Sequence, residues 1–268
     1  MELTDQRPGR RVTMRSEHVD FEGSRGARLA ARIDLPDASP VRAYAVFAHC
    51  FTCNKDIKAP VAIGRALAEA GIATLRFDFT GLGASGGDFG ETTFTSNIDD
   101  LLSAARFVAE SYGKVQLVIG HSLGGAAALR AAALLDSVRA AVTIGAPYRP
   151  RHVLHHLAAD LERIEREGIA EIVLAGRPVR VGREFVRDIS QHSAEGTLRR
   201  FDKPLLVMHA PEDETVPLEE ARRIFEAARH PKSFIALGGA DHLLSSSADG
   251  QYVGRLIAAW SSRYLSDF

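Results

Sequence analysis

The sequence predicts an α/β protein, a mostly parallel twisted sheet with helices on both faces. Three observations predict it. Short, continuously apolar runs recur along the chain, such as "RAYAVFAH" (42–49) and "PLLVMHA" (204–210). Such runs are the pattern of strands covered on both sides. Stretches with apolar residues at helical spacing separate them, as in "TSNIDDLLSAARFVAESYG" (95–113). Strands that alternate with helices imply parallel pairing through helical crossovers.

The elements follow in order. Residues up to about 26 are polar and read as periphery. "ARLAARIDLP" (27–36) is a strand ended by proline, and 42–49 is a buried strand. "KAPVAIGRALAEAG" (58–71) is a helix stopped by glycine. "IATLRFDF" (72–79) is a strand, followed by the glycine-rich loop "TGLGASGGDFG" and the helix 95–113. "VQLVIGHSLGGAAALRAA" (115–132) holds a strand and then a helix, and "SVRAAVTIGAP" (137–147) another strand. From 148 to about 201 the rhythm breaks: a polar amphipathic helix (149–168), a hairpin turning near Gly176, and a second helix (183–194). This segment reads as a small lid inserted into one domain that spans 1–268. The rhythm then resumes with strand 204–210, helix 217–229, strand 232–239 and a closing helix over 249–265.

Composition narrows the function classes. The chain has 268 residues, 46% hydrophobic and 25% charged, enough for a core without covalent staples. A formal net charge of −1 gives no reason to expect a nucleic-acid partner. No apolar run reaches the roughly 18–20 residues that span a bilayer. The basic N-terminus has no apolar stretch behind it, so it reads as neither signal nor anchor. Two cysteines suggest thiols in a reducing, cytoplasmic compartment.

The chemistry centres on Gly120-His121-Ser122-Leu123-Gly124. This is G-x-S-x-G between a strand and a helix, the setting a nucleophile elbow requires. Small residues are needed two positions to either side, because a Cβ there would clash. The corner lifts the Ser122 hydroxyl above the sheet's C-terminal edge, at the positive end of a helix. A neutral hydroxyl needs a base, and the base needs an orienting acid. In this pattern the partners follow in the order acid, then histidine. Asp213 in "PEDETVP" and His242 in "ADHLLS" each follow a strand, so both should emerge beside Ser122. Their rivals are Glu212, Glu214, His209 and Asp241. The expected oxyanion donors are the backbone N–H of Leu123 and that of Phe51 in "HCFTCNKD" (49–56).

With these residues the chain resembles the α/β-hydrolase superfamily over nearly its whole length. "FAHCFTCNKDIKA", "LRFDFTGLGASGGDF", "IGHSLGGAA", "ARHPKSF" and "ADHLLS" resemble, more narrowly, the hydrolase half of bifunctional α/β hydrolase–OsmC-like proteins. The resemblance implies an α/β-hydrolase fold and the triad Ser122, Asp213 and His242. Members of that family commonly carry an OsmC-type peroxide-reducing domain after the hydrolase. The expectation here is a stand-alone or excised hydrolase, without that peroxidatic chemistry. Cys50 departs from the wider pattern, which carries glycine there.

Other motifs compete. Cys50-x-x-Cys53 lies between a strand and a helix, as in thioredoxin-like redox pairs, but the rest of the chain is ordered differently. It reads as two small residues in the oxyanion loop. Gly81-x-Gly83-x-x-Gly86 matches a dinucleotide fingerprint, yet no helix starts there and no strand supplies an acid about 20 residues on. It reads as a tight loop beside the site. His152, His155 and His156 lack a metal-binding motif and read as lid surface. The expected activity is a serine hydrolase that cleaves a carboxylic ester through an acyl-enzyme, without metal or cofactor. Its partner is a small acyl substrate, with no nucleic acid and no membrane, and a homo-oligomer is left open. The alternatives are an amidase or peptidase with the same triad, a thiol redox protein using Cys50 and Cys53, and a non-catalytic binding module.

Overall fold

A computed structural model describes residues 14–37, 40–51, 53–174 and 177–265. One eight-stranded sheet organises it. Its strands are β1 (Met14–Glu22), β2 (Arg28–Pro36), β3 (Ala43–Ala48), β4 (Ile72–Phe77), β5 (Val115–His121), β6 (Ala140–Ile144), β9 (Leu205–His209) and β10 (Lys232–Ala236). They lie in the order β1-β2-β4-β3-β5-β6-β9-β10. Pairing is parallel from β4 through β10 and antiparallel at β1–β2 and β2–β4.

Period-two side chains divide the interior into two cores. In β3, Val46 and Ala48 enter one core, while Ala45 and Phe47 enter the other. In β5, Val118 goes one way and Leu117 and Ile119 the other. Both faces are therefore buried, which is why these strands read as unbroken apolar runs. Helices α2 (Phe94–Ser111) and α3 (Leu123–Leu134) cover the first face. Helices α1 (Lys58–Glu69) and α8 (Ser247–Ser261) cover the second. The capping box of Thr93 and Ser96 starts α2.

Two expectations are corrected. The N-terminal stretch is not mere periphery, because 14–22 forms the edge strand β1. Its one buried apolar anchor, Phe21, packs on Phe77 and Phe107. A strand with one solvated face carries few apolar residues, so it escaped notice. The long helix expected over 149–168 is a 3-10 stretch (Pro150–Leu157) followed by α4 (Leu161–Glu167). The tighter winding buries Val153 and Leu157 and brings His152 Nε2 within 3.0 Å of the Thr215 carbonyl. Tertiary contacts outweigh helical continuity there.

Beyond α4, β7 (Ile169–Leu174) pairs antiparallel with β8 (Arg177–Gly182), as the hairpin reading expects. The turn near Gly176 lies outside the described residues. Helices α5 (Arg183–Ser190) and α6 (Glu195–Leu198) lead back to the sheet, where α7 (Leu218–Ala227) joins β9 to β10. Among the described residues no helix is long and apolar enough to cross a membrane.

A buried ionic lattice fixes the end of β4 against the loop before α1. Arg76 grips Asp34 with two hydrogen bonds, Nε to Oδ2 at 2.6 Å and Nη2 to Oδ1 at 3.0 Å. Its Nη1 also donates to the Lys55 carbonyl. Asp78 accepts from Lys55 N–H (2.6 Å), Lys55 Nζ (2.8 Å) and Ala84 N–H (2.9 Å). Burial opposes the charge on Lys55, but Asp78 outweighs it and holds the ammonium above its usual pKa. Removing one member of such a pair strands a charge in the interior. Asp34→Ala is expected to cost about 3–5 kcal/mol of unfolding free energy, read by denaturant titration. A cost below about 1 kcal/mol would show that the lattice contributes no more than a surface pair.

Candidate active site

The corner between β5 and α3 is as sharp as the sequence demands. Ser122 has φ 55° and ψ −126°, a backbone state that residues with a side chain avoid. Glycine two positions away is a steric necessity. A Cβ on Gly120 would lie 2.3 Å from the Gly124 carbonyl oxygen. A Cβ on Gly124 would lie 2.2 Å from the His49 carbonyl oxygen. The start of α3 is thus pressed onto the end of β3. The Ser122 N–H is held by the Ile144 carbonyl at 2.8 Å.

The structure brings Ser122, His242 and Asp213 together. Ser122 Oγ is 3.0 Å from His242 Nε2, so the hydroxyl donates to the ring. His242 Nδ1–H donates to Asp213 Oδ2 at 2.6 Å. The other carboxylate oxygen accepts from the N–H groups of Thr215 and Val216, both at 2.8 Å. Burial works against the charged form of Asp213. The His242 hydrogen bond and the Val216 N–H outweigh it and hold the carboxyl below its usual range. The rivals stand apart: Glu212 and Glu214 are exposed, and Asp241 Oδ1 accepts from the Ser245 N–H in its own loop.

Leu123 is the first residue of α3, so its N–H is among the amides a helix leaves unpaired. The second expected donor, Phe51 N–H, belongs to the same planar unit as the Cys50 carbonyl. That carbonyl is held from behind by His49 Nδ1–H at 2.7 Å and Cys53 N–H at 3.1 Å. In a trans peptide the N–H points opposite to the carbonyl, which turns the Phe51 N–H away from His49. The Phe51 ring stacks on Phe185 of α5, with centroids 5.5 Å apart. Phe51, Ser122, Leu123 and His242 face a cavity of about 440 Å³. Val153, Val173 and Leu174 line it from the 148–201 segment.

A strand, a strained serine, a helix and this order of partners are the marks of one family, and residues 45–255 match the alpha/beta hydrolase family. The chain belongs to that family. The esterase domain from a Rhodothermus marinus protein is 44% identical to this hydrolase, with a TM-score of 0.76, over 94% of this chain and 100% of that one. Mouse palmitoyl-protein thioesterase ABHD10, mitochondrial, is 28% identical over 196 residues, 70% of this chain and 65% of the mouse protein. This hydrolase therefore spans less than two thirds of that relative's length. Alpha/beta hydrolase domain-containing protein 10 from mouse, as a solved structure, shares the fold at TM-score 0.73 and 22% identity, over 92% of this chain and 99% of that one.

The cysteine reading is corrected. Cys50 and Cys53 of this hydrolase are not two separate thiols but a disulfide, with Cα atoms 5.3 Å apart. The Cys53 N–H meets the Cys50 carbonyl at 3.1 Å, which keeps the two residues close enough to bond. The 81–86 loop is closed by the Gly81 N–H on the Gly86 carbonyl at 2.9 Å, and α2 begins only at Phe94, after a short 3-10 turn over Phe89–Glu91. His152 and His156 face the cavity, and the His155 ring lies tilted against His152 with centroids 5.1 Å apart. Among the described residues no group of three or more His, Cys, Asp or Glu side chains is placed to hold a metal.

Two histidines with supporting roles escaped the sequence reading. His121, inside the motif itself, donates from Nε2 to the His242 carbonyl at 2.7 Å. Burial, reinforced by the nearby His242, pushes its pKa down to about 3, so it stays neutral. His209 is a buried strand residue, as expected, but its Nε2–H also holds the Val216 carbonyl at 2.8 Å, beside Asp213. Burial lowers its pKa as well. The sequence places His121 next to the nucleophile, yet nothing local reveals an acceptor 121 residues away.

A group with a lowered folded pKa binds protons more readily in the unfolded chain. The unfolded state gains protons below about pH 6.5, while folded His121 resists them down to about 3. Stability is therefore expected to fall as pH drops from about 6.5 to 4. In His121→Gln, whose amide can still donate to the His242 carbonyl, the melting temperature should fall less steeply over that window. Parallel melting curves at each pH in the two proteins would contradict the assignment.

Proposed function

We propose that this hydrolase is a serine carboxylesterase working through an acyl-enzyme on Ser122. The observation that carries the reading is the chain Ser122 Oγ–His242 Nε2 at 3.0 Å and His242 Nδ1–Asp213 Oδ2 at 2.6 Å, opening onto a largely apolar cavity. The substrate carbonyl sits over Ser122. Ser122 Oγ attacks the carbonyl carbon as His242 Nε2 takes its proton. Asp213, kept ionised by its three hydrogen bonds, stabilises the imidazolium and holds the ring in place. The oxyanion accepts from the N–H groups of Leu123 and Phe51. His242 then protonates the leaving alcohol. Water, deprotonated by His242, releases the acid and restores Ser122.

The 148–201 segment serves as the lid. Its apolar residues Val153, Val173 and Leu174 line the cavity and receive the acyl or alcohol group. The 44% identity to an esterase domain supports an ester as the first substrate class. A thioester is the second reading, favoured by the name of the mouse relative, and the same attack and oxyanion serve it. Amides use the same groups, but the leaving amine must be protonated before it can depart, whereas an alkoxide leaves more readily.

The deciding experiment is labelling with a fluorophosphonate, read by mass spectrometry. An adduct on Ser122 in the wild type and none in Ser122→Ala is expected. Asp213→Asn should keep the fold and lose about 10⁴-fold in kcat on a p-nitrophenyl ester, because the imidazole takes the wrong tautomer. Folded wild-type protein that neither reacts with the probe nor cleaves esters or thioesters would defeat the reading and leave a binding module.

A further inference from the structure

The Cys50–Cys53 disulfide plays no part in the acyl chemistry, yet it spans the backbone unit that chemistry needs. Four facts bear on its use. The two cysteines flank Phe51, whose N–H is the proposed second oxyanion donor. Cys50 and Phe51 both line the cavity with Ser122. Cys50 is buried at 3% exposure, whereas Cys53 is half-buried, so Cys53 is the more open of the two to an outside thiol. The surrounding chain is anchored on either side of the bridge. Gly124 packs under the carbonyls of Ala48 and His49, and Lys55 is bound to Asp78 through both its N–H and its Nζ.

Between those anchors the Cys50–Phe51 peptide plane is oriented by two bonds to one carbonyl, from His49 Nδ1–H and from Cys53 N–H. The second of these depends on Cys53 staying close to Cys50, which the disulfide enforces. The Phe51 ring is fixed separately, between Phe89 and Phe185 at 5.6 and 5.5 Å. Opening the bridge therefore leaves the ring in place and releases one of the two bonds that orient the peptide plane.

We infer that Cys50 and Cys53 form a thiol–disulfide exchange site for a dithiol reductant, and that their bond sets the strength of the oxyanion hole. The inference rests on the serine esterase reading above. A thiolate of the reductant attacks Cys53 Sγ. The Cys50–Cys53 bond breaks, Cys50 leaves as a thiolate and takes a proton, and a mixed disulfide forms on Cys53. The reductant's second thiol, deprotonated, attacks its own sulfur in that mixed disulfide. Cys53 is released and protonated, and the reductant departs as an intramolecular disulfide. Two electrons and two protons pass from the dithiol to the protein, and a disulfide oxidant reverses the exchange.

The result is a graded effect on catalysis, not its loss. Removing an oxyanion donor altogether costs about 10²–10³ in kcat. A donor that keeps its His49 anchor but loses its Cys53 anchor should cost about tenfold. The loss falls on kcat rather than on KM, because the oxyanion exists only in the transition state.

The test uses the whole chain, isolated without reductant. Thiol alkylation and mass spectrometry count free cysteines before and after dithiothreitol treatment and desalting. Turnover of a p-nitrophenyl oxygen ester and fluorophosphonate labelling of Ser122 are followed in both states. The expected result is a bridged protein whose kcat falls about tenfold on reduction, with KM changed less than twofold. Oxidised dithiothreitol should restore the rate. Cys50→Ser/Cys53→Ser should sit at the reduced rate and ignore reductant. Should that variant not fold, reduction of the wild type remains decisive. Equal kcat in the two states would overturn the inference, as would free thiols in fully active protein. A fall in melting temperature on reduction with kcat unchanged would reduce the bridge to a structural brace. If Ser122 reacts with the probe in neither state, the esterase reading itself has failed, a result distinct from equal rates in both.

Discussion

The fit of Gly124 beneath the carbonyls of Ala48 and His49 is the constraint on which the rest of the site depends. It sets the start of α3 against the end of β3 with no room for a side chain. That contact fixes two things at once. It forces the β5–α3 corner to be so tight that Ser122 takes φ 55°, a strain of about 1–3 kcal/mol. It also sets the height of the loop that carries Phe51 relative to the amide of Leu123. The packing of the sheet and helices supplies the stability that holds this unfavourable backbone state. Ser122, Leu123 and the loop that carries Phe51 therefore occupy one closely packed unit.

Around that unit the charges are sorted by burial and partner. Below the loop that carries Phe51, Asp78 accepts from Lys55 and from the Ala84 N–H, and Asp34 accepts from Arg76 and from the Ser16 hydroxyl. Beside Asp213 the neighbouring imidazoles of His121 and His209 are driven neutral by burial. In the proposed mechanism, a second imidazolium near His242 would repel the proton that His242 takes from Ser122. Neutral histidines avoid this, and each still gives one N–H to a backbone carbonyl of the loops that carry His242 and Asp213. They hold position without adding charge.

The segment between β6 and β9 meets this site through the Phe51–Phe89–Phe185 stack and through Val153, Val173 and Leu174. Phe185 belongs to α5, so the wall of the cavity and the loop that carries Phe51 share a side-chain contact. A change in the position of α5 would be felt at Phe51.

The inner parallel strands, β3 to β6 and β9, were legible because each is buried on both faces, and burial writes itself as an apolar run. The edge strand β1 was not, since Phe21 alone among its residues is buried. The 3-10 stretch at Pro150–Leu157 was not, since its winding answers to Thr215 and to the core, not to its own spacing. The elbow was legible for a local reason: a corner that excludes Cβ atoms demands glycine at fixed offsets from the serine. The order of strands likewise put Asp213 and His242 at the right edge of the sheet. What the sequence determined by itself was this covalent neighbourhood, Ser122 between its glycines and the candidate acid and base after their strands. Only the tertiary structure decided that Asp213 and not Glu212 or Glu214 meets the imidazole, that His121 supports His242, and that Cys50 bonds to Cys53. Backbone sterics act within a few residues and are written there. The first two of these contacts join chain positions far apart, and the third depends on a turn anchored from both sides, so they exist only once the sheet has packed.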